Sequence, residues 1–150
     1  MDKIIVQSDD FDLSAEVKLA KAKNSSIGAI VSFVGTVRDL QSKSLSSMTL
    51  EHYPGMTEKS LELIAKKARD NWELQSITII HRIGTLEVND QIVLVIVASK
   101  HRQEAFDSCN FIMDYLKTDA PFWKKESTEN KEEWVEARAK DEKHKNRWKS

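Results

Sequence analysis

The sequence contains a single cysteine, Cys109, and this scarcity limits how the chain can be stabilised. One cysteine cannot form an internal disulfide, so stability must come from the core, as is usual in a reducing compartment. The N-terminus has no long apolar segment after a basic start, which argues against a secretory signal. We therefore expect a cytoplasmic protein in which Cys109 is a buried, structural thiol.

Long apolar runs and the common ligand-binding motifs are also missing. The longest apolar run, residues 92–98, is far shorter than the roughly 20 residues that span a bilayer, so we expect no membrane segment. The single cysteine and the four histidines show no CxxC or HExxH spacing, and no glycine-rich phosphate loop occurs. We therefore expect neither a metal site nor a bound cofactor.

An excess of charge of either sign is absent as well. The 23 lysines and arginines nearly balance the 24 acidic residues, which leaves a net charge of −1. This balance gives no indication of a nucleic-acid partner or of an anionic membrane surface. Any anion site must therefore be local and built from a few cations that the fold brings together.

The pattern of apolar residues predicts a single α+β domain over residues 1–150, with a charged tail from about residue 140. A chain of this length can bury a sizeable core. Strand-like and helical segments interleave without a regular βαβ rhythm, which favours a largely antiparallel sheet packed with helices. The predicted strands are residues 3–6, 27–38, 48–53, 77–83, 86–88, 91–99, 122–127 and 134–138.

Helices are predicted at residues 14–22, from Thr57 as N-cap, and in the segment that ends at about residue 118. Residues 39–47 are polar and rich in serine, which is typical of a mobile loop. For the charged tail, the composition favours helix and disorder equally.

One stretch, residues 101–126, joins an apolar helix to a turn rich in tryptophan and lysine. His101 and Arg102 lie at the predicted helix start, where the helix dipole disfavours cations. Pro121 cannot continue a helix, so Lys117 falls in the last turn. Apolar residues recur at spacings of three and four and are expected on one buried face: Ala105, Phe106, Cys109, Ile112, Met113 and Leu116.

Cations therefore stand on several separate elements: Arg38, His101, Arg102, Lys117, Lys124 and Lys125. If they converge, an arginine with helix N-terminal amides can bind a phosphate, and a lysine in an apolar pocket can move a proton or stabilise charge. The competing interpretation is ordinary surface pairing with the acidic residues of the same stretch, with Lys117 as a solvated helix-end cation. Spacing alone favours this second interpretation.

At FVGTVRD, LEHYPGM, HRIG and FIMDYLKTDAPFWKKE the sequence resembles the catalytic large subunits of molybdopterin synthases, and the similarity extends through WVEAR. The resemblance implies an α/β hammerhead-type fold and a central homodimer within a heterotetramer. It also implies a small ubiquitin-like sulfur-carrier subunit at each end, whose C-terminal Gly-Gly thiocarboxylate enters the pocket. Two sulfurs would pass to cyclic pyranopterin monophosphate and form the dithiolene of molybdopterin, in molybdenum cofactor biosynthesis.

The resemblance further implies roles for individual residues. Lys117 matches the catalytic lysine of the family, and Lys124 matches a second functional lysine. The positions that match substrate binding, or lie beside it, are Thr36, Val37, Arg38, His101, Arg102, Lys117, Lys124, Lys125 and Glu126. The implied pocket-lining residues are Phe33, Met113 and Arg138.

The lone cysteine agrees with this expectation in one respect. A chain without an obvious sulfur relay needs an external sulfur donor if it transfers sulfur, and the carrier thiocarboxylate would be that donor. An alternative from another class is a non-catalytic, homodimeric anion- or peptide-binding module that uses the same cations.

Overall fold

A computed structural model describes residues 2–22, 24–39, 45–128, 132–135 and 145–148. This part of the chain contains eight strands and three helices. In chain order they are β1 (Asp2–Gln7), α1 (Leu13–Lys21), β2 (Ala29–Thr36), β3 (Leu45–His52), α2 (Met56–Asn71), β4 (Ser76–Arg82), β5 (Gly84–Leu86), β6 (Gln91–Ser99), α3 (Arg102–Asp119), β7 (Phe122–Thr128) and β8 (Glu132–Val135).

The described strands form two four-stranded sheets. The first sheet has the order β1-β4-β6-β2, in which β1 pairs with β4 in parallel and the other pairs are antiparallel. The second sheet has the order β5-β3-β7-β8 and is antiparallel throughout. The α+β, largely antiparallel class predicted from the sequence is thus confirmed.

The main core lies between the first sheet and the helices α2 and α3. Successive side chains of a strand point to opposite faces, so β6 is buried on both sides. Val93, Val95 and Val97 face α2 and α3, whereas Leu94 and Ile96 pack with Phe11 on the face that carries α1. A smaller cluster joins the second sheet to the end of β2 and consists of Val37, Met48, Leu50 and Leu86.

The start of α2 differs from the prediction. The N-cap is Gly55, at a positive φ of 84° that favours glycine, and its N–H donates to the Glu58 carboxylate at 3.2 Å. Thr57 lies inside the helix and is buried. Its hydroxyl accepts a hydrogen bond from the N–H of Tyr53 and donates one to the carbonyl oxygen of Pro121, each at 3.1 Å. The assignment of Thr57 as N-cap is therefore wrong, because its hydroxyl serves a tertiary contact.

Phe106 also departs from the prediction, since 55% of its surface is exposed. The buried face of α3 is set by Ala105, Cys109, Ile112 and Leu116. Phe106 is not among the buried residues of this face. Its spacing fitted a buried position, but no described element covers the helix there.

The predicted loop of residues 39–47 is too long. Residues 45–47 belong to β3, where Ser47 lies opposite Ser127 of β7. The polar composition of these residues hid the strand, because its backbone hydrogen bonds come from a partner far along the sequence. Residues 40–44 lie outside the described residues, as do residues 136–138 of the last predicted strand and residues 140–144 of the tail.

Candidate active site

The turn after α3 returns the chain towards the second sheet. Helix α3 ends at Asp119, and the N–H of Phe122 donates to the carbonyl oxygen of Ala120 at 2.9 Å. The hydroxyl of Thr57 holds the intervening Pro121 carbonyl from the start of α2. Strand β7 begins immediately afterwards at Phe122 and carries Lys124.

His81, at the end of β4, is a buried histidine whose pKa is influenced by the charges of both lysines. Its ring stacks on Phe122 with a centroid distance of 3.7 Å and an interplanar angle of 17°. The pKa of His81 is lowered to about 4, mainly by burial; the hydrogen bond to the Arg82 carbonyl opposes this shift, and the positive charges of Lys124, Lys117 and His52 contribute to it. The charges of His52, Lys117 and Lys124 all lower the pKa of His81. We call these four residues the lysine cluster.

The acidic residues of α3 pair elsewhere. Asp114 forms an ion pair with Arg147 at 2.9 Å, and Asp119 forms one with Lys145, also at 2.9 Å. Within the described part of the chain, no carboxylate forms an ion pair with Lys117. Lys117 itself is exposed, as a solvated helix-end cation would be, and its role in a site stays a prediction.

Residues 36–38 lie at the same end of the first sheet as the lysine cluster. Gly35 pairs with Val93, which in turn pairs with His81. Val37 is buried, donates its N–H to the Asp90 carbonyl at 2.9 Å and anchors the end of β2 under the second sheet. Arg38 is the next residue and is exposed.

His101 and Arg102 lie at the opposite end of the molecule. They follow Ser99, which pairs with Ala29 at the far end of β2 and β6. About 24 Å of helix rise separates His101 from Lys117, at 1.5 Å per residue. Both residues are exposed. Within one chain, the fold therefore brings Arg38, Lys117 and Lys124 to one end and leaves His101 and Arg102 at the other.

The remaining predicted site residues lie on β7, β2 and α3 or outside the described residues. Lys125 and Glu126 lie on β7, opposite Thr49 and Met48 of β3. Phe33 lies on the edge strand β2 with 39% of its surface exposed, whereas Met113 is buried in the main core. Arg138 lies outside the described residues. The pocket-lining role of these side chains stays a prediction.

Cys109 is buried in the main core, with 5% of its surface exposed. Burial raises the pKa of its thiol to about 11, so the nucleophilic thiolate is scarce at neutral pH. Across the described ranges, no group of three or more His, Cys, Asp or Glu side chains is placed to hold a metal ion. None of the described helices is long and apolar enough to cross a membrane.

Sequence reasoning missed His81 and gave Thr57 the wrong role, that of an N-cap. The available signal for His81 was a histidine that ends a run of buried β-branched residues, in the HRIG segment. The signal for Thr57 was weaker, because a threonine in the first turn of a helix is also typical of a cap.

One lysine stands at the end of α3 and another on β7 of the second sheet, and the charges of both act on a buried, neutral histidine. This arrangement is a candidate active site of an enzyme that binds anions. The matching family, described as MoaE protein, covers residues 6–119. This chain belongs to the MoaE family.

Individual relatives agree with the family match. The molybdopterin synthase catalytic subunit of Ralstonia nicotianae is 55% identical over 149 residues, which cover 99% of this chain and 85% of the relative. Among solved structures, the molybdopterin biosynthesis MoaE protein of Burkholderia ambifaria has a TM-score of 0.87 at 53% identity and covers 100% of this chain and 99% of its own. The molybdopterin synthase of Staphylococcus aureus has a TM-score of 0.84 at 28% identity, over 91% of this chain and 98% of its own.

Proposed function

We propose that this chain is the catalytic subunit of a molybdopterin synthase. In this reaction, sulfur passes from the C-terminal thiocarboxylate of a small ubiquitin-like carrier to cyclic pyranopterin monophosphate and forms the dithiolene of molybdopterin. Membership of the family and the relatives named catalytic subunits support this assignment. The observation that carries it is that Lys117, in the last turn of α3, and Lys124, on β7, both contribute positive charge that lowers the pKa of the buried His81.

The lysine cluster suits the chemistry of acyl sulfur transfer. A thiocarboxylate and a phosphate are both anions, and the transfer passes through further anionic species. Lysine ammonium groups can stabilise such charge and can move a proton. Lys117 is our candidate for the catalytic group and Lys124 for its assistant, with both in contact with the substrate. The buried Cys109 has no part in the transfer.

The substrate phosphate needs further cations, and we propose that two chains provide them. Arg38 lies at the end of the sheet that carries the lysine cluster, whereas His101 and Arg102 lie about 24 Å along α3. In a homodimer with two-fold symmetry, the start of α3 in one protomer can approach the cluster of the other. One complete site would then contain Arg38, Lys117 and Lys124 of one chain together with His101 and Arg102 of its partner.

The residues beside these cations would shape the pocket. In this proposal the backbone at Thr36 and Val37 orients Arg38, and the β7 residues Lys125 and Glu126 border the path of the carrier tail. Phe33, Met113 and Arg138 complete the lining. The assembly would be a heterotetramer of two such chains and two carriers, working in the cytoplasm as one domain over residues 1–150.

The test is a single-turnover assay with purified chain, thiocarboxylated carrier and cyclic pyranopterin monophosphate. Molybdopterin formation is measured by its conversion to a fluorescent derivative, with carboxylate-ended carrier as the control. Formation that depends on the thiocarboxylate supports the proposal. Tight binding of carrier or pterin without any sulfur transfer would instead identify a non-catalytic binding module.

A further inference from the structure

The tail residues 145–148 lie against the C-terminal half of α3 and are held there by aromatic packing. The ring of Trp148 packs edge-on against Phe111 of α3, at a centroid distance of 5.7 Å, and against Trp72 at the end of α2, at 5.9 Å. The guanidinium of Arg147 lies over the Trp148 ring, 4.9 Å from its centroid. These contacts place Arg147 beside the helix.

The main polar partner of the tail is the carboxylate of Asp114. Its Oδ2 accepts hydrogen bonds from Arg147 Nε at 3.2 Å and Nη2 at 2.9 Å, and another from the indole N–H of Trp148. Only 12% of the Asp114 side chain is exposed, whereas 50% of the Arg147 side chain is exposed. Arg147 therefore supplies the positive charge for a carboxylate that is largely out of water.

The place of Asp114 on the helix makes this pairing important for Lys117. Side chains three or four residues apart are neighbours on a helix surface, whereas side chains two apart do not face each other. The residues three and four positions from Lys117 are Met113, Asp114, Ala120 and Pro121. Asp114 is the acidic residue among them, so its carboxylate is the one on α3 that Lys117 can reach.

We propose that Arg147 is a positioning residue for Lys117, because it occupies the carboxylate with which the lysine would otherwise pair. This inference rests on the proposed function, in which Lys117 contacts an anionic substrate. An ammonium group that is paired within its own helix attracts a further anion less, and the carboxylate beside it repels that anion. With Asp114 held by Arg147 and Trp148, the charge of Lys117 is available to the thiocarboxylate or the phosphate.

Two substitutions separate this role from simple fastening of the tail. Arg147→Ala releases Asp114, and we expect the single-turnover rate at saturating carrier and pterin to fall about twofold to fivefold, the range for an ion pair near a surface. Asp114→Asn, added to the Arg147→Ala chain, removes the competing charge and should restore most of the rate. Asparagine keeps an oxygen that can accept the indole N–H of Trp148, so the second substitution preserves this contact.

A matched control comes from the other ion pair of the tail, between Lys145 and Asp119 at 2.9 Å. Asp119 is two residues from Lys117 and does not face it, so Lys145→Ala should keep the parent rate. A parent rate in Arg147→Ala would overturn the proposal. Equal losses in Lys145→Ala and Arg147→Ala, or a loss that Asp114→Asn does not restore, would overturn it as well, since the tail would then only fasten the helix.

A measurement without turnover keeps this inference separate from the proposed function. Trinitrobenzenesulfonate is an anionic reagent that modifies lysine amino groups, and peptide mass spectrometry measures its rate of reaction at Lys117. This rate should fall in Arg147→Ala and recover when Asp114→Asn is added, with the exposed Lys66 of α2 as internal reference. An unchanged rate at Lys117 in Arg147→Ala would overturn the positioning role even if sulfur transfer is normal. The expected fall and recovery in a chain that transfers no sulfur would support the role of Arg147 and refute the proposed function.

Discussion

The two ends of α3 carry cations in very different settings. At the C-terminal end, Lys117 is exposed, but the end of the helix is held by the turn at Pro121 and by the tail residues 145–148, which bind the helix through Asp114 and Asp119. At the N-terminal end, His101 and Arg102 are exposed, and the N-cap residue makes no side-chain capping hydrogen bond. The C-terminal end of α3 is held by contacts within the chain, whereas the exposed N-terminal end resembles one side of an interface between two chains.

The difference teaches that contacts within one chain support the end of α3 at which we propose that the chemistry takes place. Trp148 adds to this support, since it packs edge-on against Trp72 and Phe111 and donates its indole N–H to Asp114. Precise placement of a catalytic group requires such support from neighbouring side chains. Cations that only bind a phosphate can be supplied by a surface, provided that a second chain presents it.

Removal of the Lys117 ammonium group, at the C-terminal end of α3, should have the largest effect on the reaction rate. Lys117→Ala should lower the single-turnover rate about a hundredfold or more, because charge stabilisation and proton transfer are both lost. Lys117→Arg keeps the charge but is a poor proton donor of different shape, so it separates these two roles. Lys66→Ala is the matched control, since Lys66 is a solvated lysine on α2 with only an exposed partner. A parent rate in Lys117→Ala would remove Lys117 from the mechanism.

Low pH should lower the free energy of unfolding of the chain through His81. The pKa of His81 falls from its ordinary value of 6.5 to about 4 in the folded chain, so the unfolded chain binds the proton more readily. Stability from this residue is therefore full above pH 6.5 and is lost as the pH falls towards 4. Between pH 7 and pH 4.5 the parent should lose about 2 to 3 kcal/mol more than His81→Phe in urea unfolding. Equal losses in the two chains would contradict the buried neutral state.

Substitution of Arg102, at the exposed N-terminal end of α3, should weaken binding of the pterin substrate. Arg102→Ala should weaken pterin binding about tenfold to a hundredfold in calorimetry, with an unchanged fold, because a charge-assisted contact is lost. Mixing decides which chain supplies the arginine. When Arg102→Ala and Lys117→Ala chains are refolded together, a shared site should restore activity to about a quarter of the parent, since half of the dimers contain one intact site. No recovery in the mixture would place both residues in one chain.

Substitution of the buried Cys109, between the two ends of α3, should have the smallest effect on activity. Cys109→Ala should keep most of the activity, since the thiol is buried and we propose no part for it in the transfer, and should cost about 1 kcal/mol of unfolding free energy through a small cavity. Thermal and urea unfolding measure the stability, and the single-turnover assay measures the rate. A persulfide found on Cys109 during turnover, together with an inactive variant, would overturn the external-donor argument.

The comparison also explains which features the sequence could predict. Strands β4 and β6 follow from β-branched runs, and the end of α3 follows from Pro121, because these are local effects of side-chain shape. The exposure of Phe106 and the strand at residues 45–47 depend on whether another element lies alongside, which no local pattern records. The resemblance supplied Lys117 and Lys124 as site residues. It left unassigned His81, whose importance arises only when β4, β7 and α3 are packed together.

The pairing of the strands has a consequence for how the chain is made. Strands β1, β2 and β3 all lie before residue 53, yet they pair with β4, β6, and β5 and β7, respectively. During synthesis, the first half of the chain therefore emerges with strand edges whose described partners do not yet exist. Such edges are prone to aggregation, and sheets built from distant segments form slowly. Release from the ribosome, and the supply of chaperones at that moment, should limit the yield of this protein more than the stability of its finished fold.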